Sequence, residues 1–393
     1  MGKVKESFQK YTMIFVLILV LAFFAWGTGG KILYPQNVNN LISQNAYVFV
    51  LASGMLLCIL TGGNIDLSVG SVVCFVGAMA GKFMEEMKMN PVIAVLIALI
   101  IGAAIGAWQA FWIAYVRIPP FIVTLAGMLM FRGLSNVALK GKTLPIKSAG
   151  FVRFFGGGAN CYIPDFIGGP EGLNMVALLA GGIASLIFVI ITVRGMQKRA
   201  KSGYDTAGNA GVLVRTIAIV AVVMAVSYKL AQYKGIPTSL VLVAIVVIVY
   251  GYLTSKTTTG RYFYAVGGNE KAAALSGINT NRVYFIAYTN MGFLAGLAGL
   301  MTIARMTSAQ PTYGQNYEMD AIGSCFIGGA SAYGGVGTIP GVIVGAVLMG
   351  LINQGMSIMG TDQNMQKVVK GAVLLAAVIF DVVSKRKSFI AKA

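Results

Sequence analysis

Apolar residues along this chain gather in long runs, separated by short stretches rich in glycine, proline and charge. A helix needs about 20 apolar residues to cross a hydrocarbon core of about 30 Å. On that measure the runs predict spans near 11–28, 44–60, 64–83, 91–115, 119–139, 173–193, 216–233, 237–254, 283–305, 319–333, 337–359 and 366–384. Twelve crossings follow. The run 319–333 is short and begins on Asp320, so it and 337–359 read equally as one broken helical hairpin, which leaves ten. The expected fold is an all-α, polytopic membrane bundle forming a single transmembrane domain over 1–393. A long polar loop covers 140–172, and 173–233 supplies an extra pair of spans.

Composition agrees with the pattern. Hydrophobic residues make up 57% of the chain and charged residues 11%, against about 25% charged in soluble domains. Glycine is abundant, 50 of 393 residues, which suits helices that approach closely in lipid. The net charge of +18 raises the question of nucleic acid, but the basic residues sit in short interruptions between apolar runs and form no long tract with interleaved aromatics. No nucleic-acid role is expected. The first run follows Lys3, Lys5 and Lys10, yet AFFAWGTGG offers no small-residue cleavage pattern and reads as a retained span.

Chemistry is mostly excluded. The chain has no histidine, and its four cysteines, Cys58, Cys74, Cys161 and Cys325, are widely spaced. Neither a metal site nor a disulfide framework is indicated, and no cofactor is expected. Lys140–Thr143 (KGKT) lacks the first glycine of a phosphate loop, whose place is taken by Asn136.

With the N-terminal lysines inside, an even count of crossings also returns Lys385, Arg386 and Lys387 to the inner side. Arg117, the run Arg194, Lys198, Arg199 and Lys201, and the group Lys256, Arg261, Lys271 and Arg282 fall on that side as well. The positive-inside rule then makes both termini cytoplasmic, 260–282 a cytoplasmic loop and 140–172 external. Lys140, Lys142, Lys147 and Arg153 oppose the bias, but they occupy a loop long enough to weaken charge counting.

Three polar motifs stand out. In Gly260–Arg282 (GRYFYAVGGNEKAAALSGINTNR), Asn269 suits an N-cap, Glu270 puts negative charge in the first turn, KAAAL favours helix and Gly277 suits the stop. So short a helix is marginal in water and must be held against something, either a soluble partner or lipid headgroups. The preceding GRYFYAVGG supplies aromatic contacts and flexibility. In Thr61–Gly70 (TGGNIDLSVG), Asp66 would cost about 2.5 to 3.5 kcal/mol at membrane depth. Asn64 and Ser68 are placed to satisfy it locally; a solvated turn with Asp66 as helix cap is the alternative. Gly328–Gly341 (GGASAYGGVGTIPG) repeats the glycine turn and hints at two similar halves. Arg117–Met130 opens a helix with Pro119 and Pro120. Gln44, Asn45, Gln109, Asn290, Asn353 and Gln354 lie within spans, where they either contact a hydroxylated solute or tie helices together. Few paired acids occur in the spans, which disfavours an ion- or proton-coupled carrier.

The motifs IDLSVGS, PPFIVTLAGM, GRYFYAVGGNEKAAALSGIN and IGGASAYGGVGTIPG, in that order, resemble the membrane permease of bacterial ATP-binding-cassette importers for monosaccharides. The extra pair of spans resembles the larger xylose or multiple-sugar type. The resemblance implies a non-catalytic inner-membrane subunit that works as a homodimer with a cytoplasmic tandem-cassette ATPase and an external sugar-binding protein. It also implies that Gly267, Gly268, Asn269, Glu270, Ala273 and Gly277 form the loop coupled to the ATPase. A polar path through the membrane would draw on Asn45, Asn64, Asp66, Ser68, Gln109, Phe121, Thr124 and Asn353.

Overall fold

A computed structural model of the chain describes residues 2–158, 160–170, 172–201 and 209–390. Positions 159 and 171 of the long loop, and 202–208 within the extra pair, lie outside the described residues. In chain order the helices are α1 (Gly2–Gly27), α2 (Pro35–Gln44), α3 (Ala46–Leu60), α4 (Val69–Glu85), α5 (Pro91–Ala114), α6 (Pro120–Leu139), α7 (Ala149–Phe154) and α8 (Met175–Lys201). They continue with α9 (Asn209–Ala231), α10 (Thr238–Lys256), α11 (Thr258–Gly268), α12 (Glu270–Leu275), α13 (Thr280–Met306), α14 (Tyr317–Ile327), α15 (Ile339–Ile358) and α16 (Gln363–Ile390). The only strands among the described residues are β1 (Leu144–Pro145) and β2 (Ser308–Ala309), paired antiparallel with Leu144 opposite Ala309.

Every apolar run expected to span is at least partly helical, but not every helix is long enough to cross. Seven of the described helices pass by length and hydropathy, and an eighth span results if α2 and α3, bent by 42° about Asn45, count as one. Residues 319–333 do not form a span: α14 has 11 residues, about 17 Å at 1.5 Å per residue, against about 30 Å of hydrocarbon. It ends at Gly328 and irregular chain leads into α15, which is long and apolar enough to cross by itself. The run 64–83 likewise starts late, because 64–68 is irregular and α4 begins at Val69.

The chain divides into two compact units. The larger comprises Met1–Ile32, Leu41–Cys161 and Ser239–Ala393; the smaller comprises Leu33–Asn40 and Tyr162–Thr238. In the smaller unit α8 packs on α9, the Asn174 amide N–H bonds to the Ala231 carbonyl at 2.9 Å, and the amide of Asn39 reaches the Gly235 carbonyl at 3.1 Å.

In the larger unit α13 is central, packed by α3, α4 and α5. Glycine permits this closeness. A Cβ at Gly106 of α5 would lie 2.4 Å from the Tyr288 carbonyl, and one at Gly292 of α13 would lie 2.3 Å from that of Gly102. The two backbones therefore touch, as expected where helices associate in lipid without a hydrophobic drive between them.

Candidate functional site

The segment around Asn269 folds as its residue types demand. Asn269 is the N-cap of α12, accepting from the Ala272 N–H at 3.0 Å. Gly277 takes φ +83°, the left-handed turn that glycine adopts without a Cβ penalty. Ala273 faces inward and is buried, while Leu275 is 91% exposed. A short helix thus presents a bare apolar tip.

What holds α12 is a set of contacts that the local sequence did not reveal. Arg117, just before α6, pairs with Glu270 at 2.7 Å. The same guanidinium bonds Thr280 Oγ1 at 3.1 Å and Asn281 Oδ1 at 2.5 Å, and Tyr284 donates to Glu270 at 3.1 Å. Partial burial pushes the Glu270 carboxyl up, but the bonds from Arg117 and Tyr284 outweigh it and leave its pKa below the ordinary glutamate value. Read from sequence as a flexible lead-in, GRYFYAVGG is instead helical, in α11. Gly267 is there for space: a Cβ would fall 1.7 Å from the Leu60 carbonyl oxygen and 2.5 Å from the Gly335 nitrogen. Gly268 has open space around its Cβ position.

The two glycine turns are in contact with each other. A Cβ on Gly63 would sit 1.9 Å from the Ala332 carbonyl, and one on Gly334 would sit 2.4 Å from the Gly62 Cα. The Gly335 N–H donates to the Leu60 carbonyl at 3.0 Å, and Tyr264 of α11 donates to the Gly337 carbonyl at 2.9 Å. Three segments far apart in sequence, 60–63, 264–268 and 332–337, meet here, backbone to backbone at the glycines and through the Tyr264 hydroxyl.

Asp66 is 2% exposed, which rules out the solvated cap. It accepts from the Ser68 N–H at 2.8 Å and the Ser68 hydroxyl at 2.6 Å, and Gln109 of α5 joins through a 2.8 Å bond to that hydroxyl. Asn64 does not serve Asp66; its amide donates to the Thr61 carbonyl at 3.1 Å. Thr124 is buried and returns its hydroxyl to the Pro120 carbonyl at 2.9 Å, while Phe121 is 55% exposed. Neither the cavity around Asn45 nor the one around Phe151 includes these residues.

A cavity of about 620 Å³ lies at the other end of α13. Its walls include Asn45 and Tyr47 at the α2–α3 break, Thr302 and Arg305 of α13, Tyr317 of α14, Asn353 of α15, and Gln366 and Lys370 of α16. The Tyr47 and Tyr317 rings stack at 3.5 Å with an 11° interplanar angle. Asp320, 0% exposed, pairs with Lys370 at 2.9 Å, accepts from the Tyr47 hydroxyl at 2.6 Å and is approached by the Asn353 amide at 3.5 Å. That amide also reaches Asn45 Oδ1 at 3.2 Å. Of the expected path residues, Asn45 and Asn353 line the cavity. The buried ion pair was not legible from sequence: Asp320 and Lys370 are 50 positions apart, in different helices. Asn290 ties helices, accepting from Tyr250 of α10.

The family described as branched-chain amino acid transport system, permease component, matches residues 37–378. The chain is 34% identical over 382 residues to the xylose transport system permease protein XylH of Escherichia coli K12, covering 97% of this chain and 94% of that one. It is 35% identical to the Haemophilus influenzae XylH, covering 98% and 100% respectively. The Escherichia coli K12 ribose import permease RbsC is 34% identical over 346 residues, 88% of this chain and 85% of that one. No solved structure matches.

Proposed function

The chain belongs to the family of branched-chain amino acid transport system permease components, and from that premise we propose that it is the membrane subunit of an ATP-driven importer that moves a monosaccharide, xylose or several pentoses and hexoses, into the cell. The observation that carries the reading is the end-to-end likeness to xylose permeases, which spans the α8–α9 pair as well as the rest of the chain. An α-amino acid would ask for a free buried carboxylate to meet its ammonium group. The buried acid beside the cavity, Asp320, is already engaged by Lys370 and Tyr47, which favours a neutral solute.

On this reading the subunit is non-catalytic and changes shape. Two copies assemble with a cytoplasmic tandem-cassette ATPase, whose engagement centres on Gly267, Gly268, Asn269, Glu270, Ala273 and Gly277, with Leu275 as an added contact. An external binding protein delivers the sugar to the opposite face. Asp66, Ser68 and Gln109 lock α4 to α5 as a gate-side strut; Asn45 and Asn353 meet the solute.

The test is reconstitution. Permease in liposomes is expected neither to hydrolyse ATP nor to accumulate sugar under a proton or sodium gradient. With the ATPase and ATP inside and a sugar-loaded binding protein outside, uptake of xylose, glucose or galactose is expected. Accumulation driven by an ion gradient alone would overturn the importer reading, and uptake confined to branched-chain amino acids would overturn the sugar.

A further inference from the structure

We propose that the cavity between Asn45, Tyr317, Asn353 and Gln366 is a weak binding chamber for a neutral sugar, a resting point inside the permease itself. The proposal rests on the sugar-importer reading and adds a site to it.

Size comes first. The cavity of about 620 Å³ falls within the range of about 300 to 1,000 Å³ typical of small-ligand sites, and a single sugar ring leaves room in it for water. Loose filling makes for weak binding, which suits a solute that must leave again.

The lining is chemically selective. Gln44, Asn45, Asn353, Gln363 and Gln366 bring five carboxamides to one wall system. Each carries a donor and an acceptor in one plane, the pattern that neighbouring hydroxyls of a sugar satisfy. At Asn353 the nitrogen is committed to Asn45, whereas the carbonyl oxygen is buried with no hydrogen-bond donor among the described residues. Tyr317, held flat against Tyr47, offers a rigid aromatic wall to the C–H side of a sugar ring. Of the two cations in the wall, Lys370 is paired to Asp320 behind it and Arg305 stands on α13. A second cavity, about 450 Å³ between Pro91, Val92, Phe151 and Phe154, is walled almost wholly by apolar groups and lacks this set.

A cysteine reporter tests the chamber directly. All four native cysteines are buried, so the unmodified full chain in nanodiscs is the blank, and Ser357→Cys places a thiol in the wall. D-xylose or D-ribose is expected to slow maleimide labelling, by roughly sixfold at about five times the dissociation constant, from the factor 1 + [L]/Kd. D-gluconate at equal concentration should leave the rate unchanged. Adding Asn353→Leu or Tyr317→Leu should abolish the protection while the rate without sugar stays the same, which shows that each variant is folded. Two leucine variants are used so that a misfolded one does not decide the matter. Absence of protection by either sugar, equal protection by gluconate, or protection that survives both leucine changes overturns the chamber. ATP-driven uptake by the complete unmodified transporter is scored alongside: no protection of the Ser357→Cys thiol by either sugar with uptake intact refutes only the chamber, whereas absent uptake refutes the importer reading itself.

Discussion

A single buried charge pair sets the character of the cavity. Asp320 is 1% exposed and Lys370 15% exposed at the side chain, so neither charge is hydrated enough to stand alone. Removing one partner of a buried pair typically costs about 3 to 5 kcal/mol, while replacing both can be nearly neutral. Asp320→Asn and Lys370→Met are therefore each expected to lower the thermal stability of the purified protein, and the double variant to recover much of the loss. A double-mutant cycle on melting temperature reads this; strictly additive losses would show that the two charges act apart. The sequence exposed Asp320 only as a blemish in a short apolar run. It had no means of showing the lysine one helix away, because nothing local records which distant residue answers a buried charge. Asp66 was half legible for the same reason. Its bond to Ser68, two residues on, follows from chain geometry, and its link through Ser68 to Gln109 does not.

The helices themselves were readable because a bilayer-length apolar run has few alternatives to a helix. Length was less readable. In α14 the apolar run continues into glycine, and the helix stops at Ile327 because irregular chain there packs on the first glycine turn. The small helix α12 was legible from its caps, and its anchor was not. Arg117 precedes it by 153 residues. Because the pair is charge-specific, Arg117→Glu and Glu270→Arg are each expected to reduce co-purification of the ATPase subunit, and the exchanged double variant to restore part of it. No recovery in the exchange would separate the pair from the docking of the helix. The depressed Glu270 pKa adds a pH corollary. A carboxyl whose folded value is lowered contributes fully above its unfolded value and loses that contribution only as pH falls through the folded one. The Arg117 contact should therefore persist through the mildly acidic range and weaken only below the ordinary glutamate titration.

At the scale of the whole molecule, α13 of the larger unit joins the two candidate sites, starting beside Arg117 at Thr280 and finishing on the cavity wall at Met306. Its 27 residues reach about 40 Å at 1.5 Å per residue. If the basic loops are cytoplasmic, a cysteine at Tyr162 should react with an impermeant maleimide in intact cells and one at Lys271 should react only after lysis. The reverse pattern would invert the topology. Near the α12 end sits the place where Gly62, Gly63, Gly267, Gly334 and Gly335 bring backbones together, with the Tyr264 hydroxyl bonded to the Gly337 carbonyl beside them. Side chains hop between rotamers and so absorb small displacements; bare backbones in contact have no such slack. On the proposed coupling role, a push on α12 is expected to reach the end of α3 and the turn before α15 with little slack, as through a joint with no backlash. Even a methyl group added at Gly63 or Gly267 would wedge that joint apart rather than merely soften it.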